Sequence, residues 1–254
     1  MPNFDMPSTG NEEPRRKKLK ETVIREASIG PVDSALRKRA EWMVEAAGVR
    51  EALGPKIVYD GEPRFGRVKR GVSVLCVGAG KGHEMDEIDA MLPGSKVLGV
   101  DPHDAQTRPV KKRLETLAHD ARYLPETSSA EDLRDVPDGS LDGATFFFVL
   151  HHVDQSKHDR IMEEMRRVLK PDGQLFIAED LADSDEERKV VEKIDRRLNF
   201  EFGADAPHHY RSIDEWSAYF RANGFEIVRA HEEKPDKVRH GFFVLKRMPE
   251  TQNG

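Results

Sequence analysis

The 254-residue chain has little cysteine: Cys76 is its one thiol. It can close no disulfide within the chain, and its place in the apolar run VSVLCV reads as a buried structural position. No apolar stretch approaches the ~20 residues that a membrane-spanning helix requires. The opening segment MPNFDMPSTGNEEPRRKKLK has no apolar centre of the kind a secretory signal carries. Together these absences point to a cytoplasmic protein. An excess of basic charge is also missing. The net charge is -6, and because residues 1–70 carry 15 Lys/Arg against 11 Asp/Glu, the acidity is concentrated in the rest. An acidic main body disfavours capture of nucleic acid, which needs a basic face. The RRKK cluster at 15–18 reads as a solvated helix end, with contact to a phosphate-bearing partner as the alternative.

What is present is a hydrophobic fraction of 37% beside a charged fraction of 35%, enough for a full core under a densely charged surface. Residues 1–14 have almost nothing to bury and read as a disordered tail. Residues 15–71 read as a helical N-terminal extension and linker, its helices broken at Gly30-Pro31. Trp42 and Met43 lie on the second helix, either as core or as part of a lid. From residue 72 to 254 apolar runs and amphipathic stretches alternate. Strands are expected at 72–77, 96–100, 116–118, 142–149 and 174–179, and helices at 82–91, 109–114, 157–169, 185–200 and 212–223, with a helical turn at 130–134 and a loop turn at 170–173. That order predicts a doubly wound α/β fold with a largely parallel sheet. The end departs from it: FEIVRAHEE and GFFVLKR have no helix between them and predict an antiparallel pair.

The segment VSVLCVGAGKGHEM, residues 72–85, places glycines at 78, 80 and 82 between a strand and a helix. Such a turn lets a ligand approach the backbone, and the following helix N-terminus offers free N–H groups and partial positive charge. The spacing is G-x-G-x-G, not the G-x-G-x-x-G of dinucleotide sites, and Lys81 is not followed by the Ser or Thr of a phosphate-binding loop. Asp101 ends the second predicted strand, where a carboxylate can accept from two ribose hydroxyls. Asp120 follows the third, where one can accept from an adenine amine. An adenosine ligand without pyrophosphate fits these three positions.

VLCVGAGKG, VLGVDPH, HDARYLPE, DGSLDGATFFFVLHHV and RVLKPDGQLFIAED, in this order, resemble the motifs of the class I S-adenosylmethionine-dependent methyltransferases, particularly their small-molecule (methyltransferase type 11-like) group. The resemblance covers roughly 72–247. It implies a Rossmann-like sheet of seven mostly parallel strands and S-adenosyl-L-methionine as cofactor. Gly78, Ala79, Gly80 and Gly82 would line the cofactor's methionine part. Asp101 would hold the ribose, Pro102 and His103 would flank the adenine, and Asp120 and Ala121 would meet its edge. Phe146 and Phe147 would face the methionine part. The motif for methylating planar amines, Asn/Asp-Pro-Pro-Tyr/Phe, is replaced by Phe146-Phe147-Phe148-Val149, so that chemistry is not expected. These phenylalanines are either an aromatic acceptor wall or core packing.

A hydroxyl acceptor benefits from a base. His151, with His152 as the lesser candidate, follows the fourth strand, where an acceptor should lie. Pro207-His208-His209-Tyr210-Arg211 is a second cluster that the resemblance places over the acceptor pocket, where His209, Tyr210 or Arg211 could bind a substrate group; a helix-capping segment is the alternative. Asp180 is a weaker candidate. Divalent metals bind imidazole, but no tight ligand spacing unites the two histidine pairs, so no metal site is expected. The resulting expectation is a small-molecule methyltransferase, with hydroxyl oxygen as acceptor, acting as monomer or homodimer. A cofactor-binding module without turnover and an RNA or protein methyltransferase remain open alternatives.

Overall fold

The computed structural model describes residues 31–54, 71–92, 94–102, 121–123, 129–198, 208–235 and 237–249. Contacts divide the chain into two units, Met1–Arg39 and Ala40–Gly254. Helix α1 (Pro31–Ala46) begins in the first and continues into the second. The second unit begins at Ala40. It takes in α2 (Val49–Leu53), because Val44, Ala47 and Val49 are buried in its core. The helix expected before Pro31, the linker at 55–70 and the helix at 109–114 lie outside the described residues.

One sheet organises this unit. Its strands are β1 (Ser73–Val77), β2 (Lys96–Val100), β3 (Ala121–Tyr123), β4 (Leu141–Phe147), β5 (Leu169–Leu181), β6 (Phe225–Glu233) and β7 (Arg239–Arg247). Their order across the sheet is β3-β2-β1-β4-β5-β7-β6. β1 to β5 run parallel, with Val77 opposite both Val100 and Phe146. β7 inserts antiparallel between β5 and β6. The central strands are continuous apolar runs because both faces are covered. On one face Leu75, Val77 and Phe146 meet Ile161, Met162 and Met165 of α4 (Gln155–Val168) and Trp216 and Phe220 of α6 (Ile213–Ala222). On the other, Val74, Cys76 and Phe147 meet Val44 of α1 and Met85 and Ile88 of α3 (His83–Met91). Helix α5 (Asp185–Leu198) adds Val191 to a smaller cluster with Ala182, Tyr210 and Val238.

Local chemistry sets the helix ends. The Asp154 side chain accepts from Ser156 N–H at 2.8 Å and starts α4. Ser212 and Glu215 form a reciprocal capping box on α6, and Gly224, at φ 79°, follows its end.

Two elements differ from the sequence expectation, and the third strand stands where none is expected. It lies at 121–123, after His119-Asp120, with an apolar signal too short to place by periodicity; the strand expected at 116–118 falls outside the described residues. Residues 129–132 close a tight turn in which Ser129 and Asp132 exchange backbone hydrogen bonds, not a helical turn. The 170–173 turn is absorbed into β5, whose register against β4 shifts between Leu141 and Gly143 to take up the extra residues. β6 lies at the sheet margin, alternates buried or half-buried with exposed residues, and has a register shift between Ile227 and Arg229.

Candidate active site

The chain builds β1, β2 and β3 outward on one side and β4 and β5 on the other, so the strand order reverses between β1 and β4. A crevice outside the carboxyl ends of strands is expected at such a switch. Gly78, Gly80 and Gly82 stand there with φ of 69°, 46° and 74°. The N–H groups of Gly78 and Ala79 donate to Val100 O at 2.8 and 3.2 Å, folding the turn over the end of β2. A Cβ at Gly78 would come 2.5 Å from Val149 Cγ2, so β1 and the segment after β4 approach at a point that excludes a side chain. Gly80 N–H donates to Asp101 Oδ2 at 2.9 Å, holding a carboxylate at the tip of β2 beside the turn. α3 starts directly after Gly82 and directs its N-terminus here. A left-handed glycine turn, a helix N-terminus and a carboxylate one strand away fit an adenosyl amino acid.

The other expected contacts are placed less favourably. Pro102 is exposed beyond Asp101. His103 and Asp120 lie outside the described residues. Ala121 opens β3 opposite Val97, set back from the carboxyl edge where adenine would lie. Phe146 and Phe147 are buried on opposite sheet faces as core residues, because successive strand side chains alternate. Neither forms an open acceptor wall. Trp42 likewise packs against Phe242 and His240, and its Nε1–H donates to Glu233 Oε2 at 2.8 Å.

Next to this crevice, a short 3₁₀ turn, Leu150–His152, follows β4. Glu179 of β5 organises it. Its Oε1 accepts from Leu150 N–H at 2.7 Å and Val149 N–H at 3.2 Å, and its Oε2 lies 2.5 Å from His151 Nδ1. Both side chains are wholly buried. Burial alone pushes the His151 pKa down; Glu179, with Asp195 and Asp180, outweighs it and raises the pKa to about 10.

Beyond His151 stands Asp195 of α5. His152 Nε2 is 3.5 Å from its Oδ1 and His151 Nε2 is 3.9 Å from the same oxygen. His208 Nε2 lies 2.8 Å from Oδ2, and Tyr210 donates its hydroxyl to Oδ2 at 3.3 Å. Burial works to raise the Asp195 pKa, but the imidazoles of His151 and His152 hold it well below the usual carboxylate range. Burial, with Asp195 and Asp180 nearby, raises the Tyr210 pKa. His209 N–H donates to His151 O at 2.9 Å, and Ala182 N–H donates to Arg211 O at 3.2 Å. These backbone bonds bring residues 208–211 against the 3₁₀ turn, uniting two histidine pairs that are remote in sequence. His209 itself turns its ring toward His158. Asp180 is occupied separately, with its Oδ1 2.6 Å from His240 Nδ1.

The sequence reading singled out His151 and Tyr210 and held His208 within the 207–211 cluster without giving it a role, but it missed Glu179 and Asp195. Glu179 had a signal: a carboxylate inside the apolar strand LFIAED must find partners. Asp195 had a weaker one, four residues after Val191 on the buried side of an otherwise charged helix. A third buried acid, Glu84 of α3, contacts the Thr145 hydroxyl beneath the sheet. Burial, only partly offset by Thr145 and Cys76, raises its pKa to about 7, and the Cys76 thiol is pushed up by burial and by Glu84. A surface depression lined by Ala52, Leu53, Val72, Asp142, Gln174 and Lys246 lies at the opposite ends of the central strands, away from these groups.

Residues 75–177 match the family model described as methyltransferase domain. The human thiol S-methyltransferase TMT1B is 30% identical over 112 residues, covering 44% of this chain and 44% of that protein. The chain thus spans under half the length of this curated relative. Among solved structures, the Burkholderia thailandensis 1,6-didemethyltoxoflavin-N1-methyltransferase, bound to 1,6-didemethyltoxoflavin and S-adenosylhomocysteine, has a TM-score of 0.58 at 16% identity, covering 97% of this chain and 94% of that one. The mitomycin 7-O-methyltransferase MmcR has a TM-score of 0.54 at 22% identity, covering 85% and 58%. At these identities the two structures speak for the fold. By name the three relatives methylate sulfur, nitrogen and oxygen, so likeness does not select an acceptor atom.

Proposed function

We infer, for a chain that carries in residues 75–177 a methyltransferase domain of the class I S-adenosylmethionine-dependent family, that it transfers a methyl group to a small-molecule acceptor. The observation that carries this reading is the Gly80–Asp101 contact at 2.9 Å between a positive-φ glycine turn and the tip of the neighbouring strand. S-adenosylmethionine supplies an electrophilic methyl on a sulfonium that already leaves well. The chain's task is therefore to bind, align and exclude water. Gly78 to Gly82 would hold the amino-acid end against the α3 N-terminus. Asp101 would exchange its bond with Gly80 for the ribose hydroxyls, and Asp120 remains a candidate for the adenine amine.

A hydroxyl oxygen is the acceptor we propose, because imidazoles, a carboxylate and a phenol converge beside the crevice. His151 does not serve as the base: with its pKa raised to about 10 it is already protonated at neutral pH. It instead contributes positive charge and fixes the orientation of the cluster. Tyr210, with its hydroxyl directed to Asp195, positions that carboxylate.

Calorimetry with S-adenosylhomocysteine tests the cofactor half, and a metabolite extract supplied with isotopically labelled methyl donor tests the acceptor half. Binding together with a labelled O-methyl product is the expected result. A labelled thioether product would move the acceptor to sulfur, as the thiol S-methyltransferase relative favours. Tight binding with no labelled product would make the chain a cofactor-binding module. No binding by folded protein would end the reading.

A further inference from the structure

We propose that His151, His152 and Asp195 form a binding site for a divalent transition metal of the zinc class. One ligand atom from each lies within 4.8 Å of the other two. The separations themselves argue for a shared ion. Nε2 of His152 and Nε2 of His151 are 3.5 and 3.9 Å from Asp195 Oδ1, too long for good hydrogen bonds. Zinc–nitrogen and zinc–oxygen bonds of about 2.0–2.2 Å put two tetrahedral ligand atoms about 3.4 Å apart. Small side-chain adjustments therefore suffice to seat an ion among all three.

A second observation points to the same place. His151 is wholly buried, and its Nε2 has no hydrogen-bond partner among the described residues. An orphaned buried nitrogen is costly unless something occupies it. Its Nδ1 is committed to Glu179, which leaves the Nε2 lone pair directed toward Asp195 once the ring is neutral. A carboxylate holding the far nitrogen of a ligating imidazole is the usual support for such a ligand. Asp195 is supported in the same way, with Oδ2 held by His208 and Tyr210 while Oδ1 faces the two imidazoles. The charges also match. Binding displaces the His151 proton to solvent, so two neutral imidazoles and one carboxylate leave a divalent ion with one excess positive charge, which takes the place of the imidazolium opposite the buried Glu179 carboxylate.

Three protein ligands leave a fourth tetrahedral position, and His152, whose side chain is 26% exposed, marks the side open to solvent. That position takes water or an anionic oxygen or sulfur donor. Lowering the pKa of a bound hydroxyl or thiol would release its proton to water and remove the need for a protein base. This activating role rests on the methyl-transfer reading; the metal site does not.

The test uses untagged full-length protein stripped with chelator. Zn²⁺ is titrated by calorimetry and Co²⁺ by visible absorption, so failure of methyl transfer would leave the result intact. The expected outcome is one Co²⁺ per chain with an intense tetrahedral-type absorption, displaced by Zn²⁺. H152Q and D195N should each weaken Zn²⁺ binding at least about tenfold, while H231Q on β6 leaves it unchanged. Melting curves accompany each variant; if D195N does not fold, the H152Q result decides. No stoichiometric binding by folded wild-type protein, or binding that survives H152Q unchanged, overturns the proposal.

Discussion

His151 Nδ1 and Glu179 Oε2 meet at 2.5 Å, both side chains wholly buried. Glu179 also accepts from the backbone N–H groups of Val149, Leu150 and His151. Replacing it by glutamine leaves a buried cation without its counter-charge. Breaking a buried pair from one side costs about 3–5 kcal/mol. The Glu179→Gln variant should therefore melt roughly 6–20 °C below wild type, as followed by circular dichroism. An unchanged melting temperature would show that the pair is not a structural link.

The same pair sets a pH dependence. The folded pKa of His151 is raised to about 10, above an unfolded value near 6.5. Its contribution is thus fully present below about pH 6.5 and is lost as pH rises through about 10. Urea midpoints of chelator-stripped protein should fall across that window in wild type and fall less in His151→Gln. Parallel profiles for the two proteins would exclude the effect.

Glu84 acts in a different window. Its folded pKa is raised to about 7, so the fold favours the protonated acid. Stability is highest where the carboxyl is protonated in both states, and falls as pH rises from the ordinary glutamate range through 7. Glu84→Gln should remove this penalty, stabilising the protein above pH 7.5 by on the order of 3 kcal/mol and by little at pH 5. Urea denaturation at those two pH values measures it.

Asp101 offers a test with little structural cost, since its side chain is only partly buried. Replacing it by alanine removes charge-assisted bonds worth about 1.5–3 kcal/mol. S-adenosylhomocysteine should bind roughly tenfold to a hundredfold more weakly in calorimetry. Equal affinity would remove Asp101 from the cofactor site.

Gly78 is held at φ 69°, with Val149 Cγ2 2.5 Å from where a Cβ would be. Gly78→Ala should cost about 1–3 kcal/mol through the backbone alone and abolish measurable cofactor binding. Pairing it with Val149→Ala should recover part of the stability, because it relieves the clash but not the backbone strain. Full recovery of binding in the double variant would show that the turn's conformation is not required.

The glycine turn and the central strands were legible because their signals are local. A run such as VSVLCV followed by spaced glycines specifies its own strand and turn, and FEIVRAHEE beside GFFVLKR specifies its own hairpin. β3 gave no signal of its own because three residues leave no period to read. Phe146 and Phe147 could be read either as a wall of the site or as core packing, because apolar character cannot tell a crevice from the two core faces they occupy. The cluster around Asp195 was illegible for a different reason. Asp195 resembles every other acid on α5, and only the backbone bond from His209 to His151 O brings the second histidine pair beside the first.

The margin strand β6 has a consequence for how copies of this protein coexist. Glu226, Val228, Ala230 and Glu232 alternate outward along it, and its ladder is interrupted at Ile227 to Arg229. An incoming strand from another copy would have to match a kinked hydrogen-bonding rail while lying against like-charged glutamates. The sheet's growth is thereby checked at this margin, and crowded chains are steered away from fibre-like stacking there.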